Sequence, residues 1–272
     1  MSRCIAVASG KGGVGKSVIT ANLAASLAQG GRRVLILDAD IGLRSQDAIL
    51  SLENRVVYDL VDLLNGDCLP EQAILSDERI PSLHLLPAAQ FERAKAIDPK
   101  KLGNLLLSLR GHFEYILIDC PAGIERGLRN VLNAGPDETI LVVTPDDVSI
   151  RSAERAAQLM EQKKCSRPML IINRLDSRLV RSGEMMSPQT VSQVLDLPLL
   201  GIVPEDPAVY RVQLKHGLFI NYDCDARNAV LRIAARIQGR NVPVPASAEK
   251  RGRLRRRLLA RSLKEVVPID DH

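Results

Sequence analysis

Gly10-Lys11-Gly12-Gly13-Val14-Gly15-Lys16-Ser17 decides how this chain of 272 residues is read. The octapeptide follows a short apolar run, Cys4-Ile5-Ala6-Val7-Ala8-Ser9, and opens onto a helical pattern that begins near Val18. Strand, glycine-rich turn and helix N-terminus in that order make a phosphate-binding loop. Successive backbone N–H groups of such a turn point inward, and the helix dipole adds partial positive charge, so phosphate is held there. Side chains would block the approach, hence glycine at 10, 12, 13 and 15. Lys16 is placed to reach the β- and γ-phosphates and the Ser17 hydroxyl to ligate Mg²⁺, with Gly10 through Val18 lining the nucleotide. Lys11, a second lysine inside the loop, is on its own as well explained by solvation as by a role.

Composition narrows the classes. Hydrophobic residues make up 46% and charged residues 25%, ordinary for a globular protein with a sizeable core. Aromatics are only 3%, which argues against a base-stacking nucleic-acid surface. The five cysteines (Cys4, Cys68, Cys120, Cys165, Cys224) are scattered singly with no Cys-x-x-Cys, a reduced, cytosolic pattern that is neither a disulfide framework nor a zinc site. Charge and glycine interrupt the first fifteen residues, so no secretory signal is expected there. The longest stretch without Asp, Glu, Lys or Arg, Ser17 to Gly31, is fifteen residues and too polar to span a bilayer. Of the net charge of +5, residues 249–265 contribute eight basic against two acidic side chains, which leaves the rest of the chain near neutral. The basicity belongs to a tail.

Apolar runs of the kind found in buried parallel strands recur at Cys4–Ala8, Val34–Leu37, Ser82–Leu86, Tyr115–Ile118, Thr139–Val143 and Met169–Ile172, with Leu200–Val203 a candidate seventh. Helical patterns fall between or after them at Ser17–Gln29, Val56–Leu64, Pro99–Leu109, Gly127–Leu132, Ile150–Gln162, Pro188–Leu195 and Ala226–Gln238. The alternation predicts an α/β fold: a doubly wound, mostly parallel sheet with helices on both faces and ligands outside the carboxyl ends of the strands. One domain is expected over residues 1–241, a Pro-punctuated linker over 242–248 and a basic tail over 249–272.

Chemistry concentrates at the expected strand ends. Val34-Leu35-Ile36-Leu37 runs into Asp38-Ala39-Asp40, and Tyr115-Ile116-Leu117-Ile118 into Asp119-Cys120-Pro121-Ala122-Gly123. An apolar strand ending in Asp behind a phosphate loop carries the Mg²⁺-linked carboxylate. Asp119 suits that role, acting through the metal's water shell. Asp38 and Asp40 suit the outer shell and the attacking water. A lone Asp would more simply cap a turn; three at two strand ends beside this loop favour function. Met169-Leu170-Ile171-Ile172 ends in Asn173-Arg174, where a carboxamide fits an adenine edge and a guanidinium fits its face, a turn Asn being the plainer alternative. Pro204, Glu205 and Asp206 are placed to wall the base through backbone groups.

With these residues in view, the chain resembles the MinD/ParA family of deviant Walker A ATPases, and the MinD branch in particular. The resemblance rests on Gly10–Ser17 with its extra Lys11, on Asp38-Ala39-Asp40-Ile41-Gly42-Leu43-Arg44, on Leu52 through Leu60, on Asp119 through Glu125 and on Pro204-Glu205-Asp206, and it covers about residues 2–240. It implies a slow, Mg²⁺-dependent, partner-stimulated ATPase of P-loop NTPase fold that works in division-site selection. ATP would drive a homodimer in which Lys11 crosses to the partner's nucleotide, with Lys16 and Asp40 as the other catalytic residues and Ser17, Asp38 and Asp119 supporting the metal. A MinC-like division inhibitor would be recruited, and a MinE-like activator would trigger hydrolysis and release. The chain departs from the family at Ser45-Gln46-Asp47, where Asn-Leu-Asp is common, beside the dimer and partner surface.

The resemblance also implies a C-terminal amphipathic helix that places a cytoplasmic protein on the inner face of the plasma membrane. Leu254, Leu258, Leu259 and Leu263 supply an apolar side at roughly helical spacing, and Arg255, Arg256 and Arg257 add charge for anionic inner-membrane lipids, although Arg256 interrupts the apolar set. A solvated charge run and a DNA-binding tail are the alternatives, since polybasic segments bind phosphates of either kind. A ParA-like ATPase positioning DNA or another cargo on the nucleoid is the second functional reading. An iron–sulfur carrier of the same fold is a third, against which the isolated cysteines weigh.

Overall fold

Successive side chains of a strand point to opposite faces, so a strand covered by helices on both sides is apolar throughout. The computed structural model, which describes residues 2–90 and 97–245, shows this arrangement. In chain order its elements are β1 (Arg3–Ala8), α1 (Lys16–Gln29), β2 (Val34–Asp38), α2 (Gln46–Leu50), α3 (Leu60–Asn65), α4 (Pro70–Ala73), β3 (Leu75–Ser76), β4 (Leu83–Leu86), α5 (Pro99–Leu109) and β5 (Tyr115–Asp119). They continue with α6 (Arg126–Asn133), β6 (Glu138–Val143), α7 (Asp147–Gln162), β7 (Met169–Leu175), α8 (Ser177–Ser182), α9 (Pro188–Leu195), β8 (Leu199–Pro204), α10 (Pro207–Gln213) and α11 (Asp225–Ile237).

The strands form one sheet in the order β3-β4-β2-β5-β1-β6-β7-β8. Every pairing is parallel except that of the two-residue edge strand β3 with β4. On one face Ile5, Val7, Ile36, Leu117 and Val142 pack under Leu23 and Leu27 of α1 and Val230 and Ile233 of α11. On the other, Ala6, Leu35, Leu37, Ile116, Ile118 and Leu141 pack under Leu102 and Leu106 of α5, Val131 of α6 and Ile150 of α7. From β1 the chain winds to β2 and β4, returns to β5 at β1's side, then crosses to β6 on the opposite flank. The crossing puts a topological switch point at the carboxyl end of β1, where such folds bind ligands.

All seven expected strands are present. The helix expected from Val56 starts only at Leu60, because Asp59 caps it: its carboxylate accepts from Val61 and Asp62 N–H, and Asp62 reciprocates toward the Asp59 N–H. α7 starts three residues earlier than expected, at Asp147, because the Asp146 carboxylate accepts the Ser149 N–H. The short elements α2, α4, β3, α8 and α10 were not expected; each is too brief to show a period. Among the described residues no helix is long and apolar enough to cross a membrane. The last three residues of the linker, 246–248, and the whole of the basic tail, with Leu254, Leu258, Leu259, Leu263, Arg255, Arg256 and Arg257, lie outside the described residues.

Candidate nucleotide-binding site

The loop between β1 and α1 is held open from behind. Gly15, at φ 88°, caps α1 in the left-handed region with no side chain over the first amides. A Cβ on Gly15 would strike the carboxamide of Asn173, and one on Gly10 would overlap the Ser152 carbonyl of α7. Glycine at these two positions is therefore required by close packing as well as by access for phosphate. Three hydrogen bonds fix the loop: Asn173 Nδ2 donates to Val14 O at 2.8 Å, Ser9 Oγ to Lys11 O at 3.0 Å and Gly123 N to Ser9 O at 3.0 Å. Lys11 points outward, its Nζ 3.9 Å from Asp146 Oδ1, with both side chains nearly half exposed.

Register brings the acidic residues to the loop. Asp38 of β2 lies directly beside Asp119 of β5, and β5 in turn pairs with β1, whose end feeds the loop. Lys16 Nζ sits 2.7 Å from Asp119 Oδ1, 3.7 Å from Asp40 Oδ2 and 3.3 Å from Ser17 Oγ. Thr20 Oγ1, one turn along α1, donates to Asp119 Oδ1 at 3.3 Å. Asp38 accepts the N–H of Asp40 at 3.0 Å and of Gln46 at 3.1 Å. Lys16, Asp38 and Asp119 are buried. Burial works against the charge on Lys16, but Asp119 and then Asp40 outweigh it and hold its pKa above that of an ordinary lysine. Burial, then the charge of Asp119, push the Asp38 carboxyl well above the usual carboxylate range. Burial likewise raises Asp40, against the pull of Lys16.

One ammonium thus faces three carboxylates in a largely buried pocket. Such an excess of negative oxygen suits a divalent hard cation, and Mg²⁺ needs few protein ligands when phosphates and water supply the rest. The donor set of Ser17, Asp38 and Asp119 fits it.

The residues expected on the base side are divided. Asn173 is buried and its amide nitrogen serves the loop, while Arg174 is exposed and left-handed at φ 56°. Pro204 pairs in register with Leu175, and Glu205 N donates to Leu175 O at 3.0 Å, so β7 and β8 end together. Asp206 has a structural task as well: its carboxylate accepts from Ala208 N at 2.9 Å and Asp225 N at 2.9 Å, joining the starts of α10 and α11. Gln46 was missed as a site residue. It is fully buried, and its Nε2 donates to Asp119 Oδ2 at 2.6 Å and Ser17 O at 3.1 Å. No local pattern marks it, because the contact depends on how the segment after β2 folds back.

A parallel sheet with a Gly-x4-Gly-Lys-Ser loop at its switch point and an Asp at the neighbouring strand end defines a P-loop NTPase, and Lys11 makes the loop of the deviant Walker A kind. A family profile described as ParA, NUBPL iron-transfer P-loop NTPase, matches residues 1–238. The septum site-determining protein MinD of Bacillus subtilis (strain 168) is 41% identical over 254 residues, covering 92% of this chain and 94% of that one. Among solved structures, the MinC:MinD cell division protein complex of Aquifex aeolicus matches with a TM-score of 0.84 and 36% identity, over 90% of this chain and 99% of that one. The septum site-determining protein MinD complexed with Mg-ADP from Pyrococcus horikoshii OT3 matches with a TM-score of 0.77 and 31% identity, over 87% and 96%. The chain belongs to the MinD/ParA family of P-loop NTPases, and like the family it is an ATPase. The thiols do not resemble an iron site. Cys4 and Cys120 are buried, and burial pushes the Cys4 thiol up to about 12 and raises that of Cys120 as well.

Proposed function

We propose that this chain is an ATP-driven switch in septum-site determination: a cytoplasmic monomer that dimerises with ATP, binds the inner face of the plasma membrane and recruits a MinC-like inhibitor of division. The observation that carries the reading is the convergence of Lys16, Asp40 and Asp119, Nζ lying 2.7 Å from Asp119 and 3.7 Å from Asp40, beneath a glycine loop that also carries Lys11. The likeness to a MinC:MinD complex over nearly the whole of that chain supports the partner.

In this reading the loop amides and Lys16 bind the phosphates, and phosphate oxygens take the place of Asp119 at the Lys16 ammonium. Ser17, Asp38 and Asp119 would hold Mg²⁺, the two aspartates through water, and the metal would supply charge neutralisation for the phosphates. Asp40, on the pocket's rim, orients the water that attacks. Asn173 ties the loop to the base side, with Arg174, Pro204, Glu205 and Asp206 around the adenine. Lys11 reaches the nucleotide of the partner subunit and offsets its negative charge, as an arginine finger does. The resulting turnover waits on a MinE-like activator.

Pelleting with anionic liposomes and with DNA, each with ATP or ADP, tests the proposal on the intact chain and on one truncated at Val242. ATP-dependent liposome binding that disappears on truncation is expected. Pelleting with DNA alone, tail or no tail, would replace this reading with a nucleoid-based one.

A further inference from the structure

The segment after β2 returns to the site through a single buried side chain. Gln46 reaches three separate parts of the pocket: its backbone N–H donates to Asp38 Oδ2 at 3.1 Å, and its Nε2 to Asp119 Oδ2 at 2.6 Å and to Ser17 O at 3.1 Å. Both Nε2 partners are pure acceptors, so the carboxamide can face only one way; reversed, its oxygen would meet two oxygens. That orientation has a consequence at the other end. Oε1 of Gln46 is buried and has no hydrogen-bond partner among the described residues, although the residue is fully enclosed. A buried carbonyl oxygen left unpaired is costly, and it can be satisfied only by a donor. The carboxylate oxygens nearest to Gln46 already face it as acceptors, Asp38 Oδ2 of its backbone N–H and Asp119 Oδ2 of its Nε2.

We infer that Gln46 is a positioning residue of the metal site: Nε2 holds Asp119 in place, and Oε1 accepts a hydrogen bond from a water of the hydrated Mg²⁺. The inference rests on the assignment of Ser17 and Asp119 to the metal. It gives the Ser45-Gln46-Asp47 departure a function inside the ATP site, since leucine at position 46 supplies neither the donor nor the acceptor. Outer-shell partners of this kind change metal affinity by about 10–100-fold when removed.

The test is binding of a fluorescent ADP analogue as Mg²⁺ is titrated, for the intact chain, Gln46→Leu and Ser17→Ala. Gln46→Leu keeps the side-chain volume nearly unchanged, and its folding is checked by circular dichroism and a urea unfolding curve. This variant is expected to raise the Mg²⁺ concentration for half-maximal binding about tenfold while metal-free affinity stays within about twofold. An Mg²⁺ requirement unchanged in Gln46→Leu but raised in Ser17→Ala overturns the inference alone. Equal loss of binding with and without Mg²⁺ in Gln46→Leu also overturns it, because that marks a packing role. A requirement unchanged in Ser17→Ala overturns the metal assignment itself.

Discussion

At the scale of single residues, the pocket is held by an electrostatic balance in which Lys16 is the only cation in contact with Asp40 and Asp119 among the ion pairs of the described residues. Removing one partner of a buried pair leaves the other charged and unpaired, at a cost of about 3–5 kcal/mol. Lys16→Met is therefore expected to lose nucleotide binding and also to destabilise the nucleotide-free protein by about 3 kcal/mol, read by urea unfolding. Unchanged stability would mean that the ammonium does not balance the carboxylates. Gly15→Ala acts on the same pocket through the backbone: it forces a side chain into φ 88° and against Asn173. It should abolish binding of a fluorescent nucleotide and lower the melting temperature by several degrees, an effect on the order of 1–2 kcal/mol. Binding within twofold of the parent would remove the close-packing argument for that glycine.

At the scale of elements, the two ends of the sheet do different work. The carboxyl ends carry the pocket, and the amino ends are clamped by Asp137, which accepts Arg110 Nη1 and Nη2 at 2.8 Å each and the Cys4 N–H at 2.8 Å. Burial alone would raise the Asp137 carboxyl; Arg110 and the Cys4 N–H overcome it and hold the group below the usual range. A depressed acid stabilises the fold above its unfolded pKa and loses that contribution as pH falls through the folded one. Asp137→Asn should cost about 1 kcal/mol at pH 7, the low end for a charge-assisted pair because this one is partly exposed. The difference from the parent should close as pH falls below about 4, in unfolding curves at pH 7 and pH 3; a gap that stays constant would deny the linkage. The same contrast explains what the sequence discloses. Runs such as Val34–Leu37 and Tyr115–Ile118 announce buried strands because both faces are covered, and Asp38 and Asp119 follow them directly. The approach of Asn173 to Val14, 159 residues earlier, and of Gln46 to Asp119, 73 residues later, exists only once the strand order is set. The Asp59/Asp62 box that starts α3 was written in the sequence, but the apolar Val56-Val57 ahead of it imitates helix.

At the scale of the whole molecule, one subunit's loop has a spare cation and no strong reason to keep it. The Lys11–Asp146 pair is long, at 3.9 Å, and nearly half exposed on both sides, and exposed pairs contribute about 0–1 kcal/mol. Lys16 is the opposite case, locked in place by buried carboxylates. The two lysines of one loop are thus separated physically: one is bound to its own pocket, the other is available to a second copy of the chain. In the proposed function, membrane attachment would depend on the same separation. A single basic tail gains about 1 kcal/mol per Lys or Arg near an anionic leaflet and stays reversible, whereas two tails joined in a dimer act at high effective concentration. Lys11→Ala should therefore leave the monomer's unfolding free energy within about 0.5 kcal/mol and its ADP affinity within about twofold. ATP-dependent dimerisation, followed by light scattering, should disappear, and liposome binding should fall to the level seen with ADP. If Lys11→Ala dimerised and hydrolysed ATP like the parent, the cross-subunit role would be lost. If it dimerised normally yet left the membrane, the tails would not be acting through avidity.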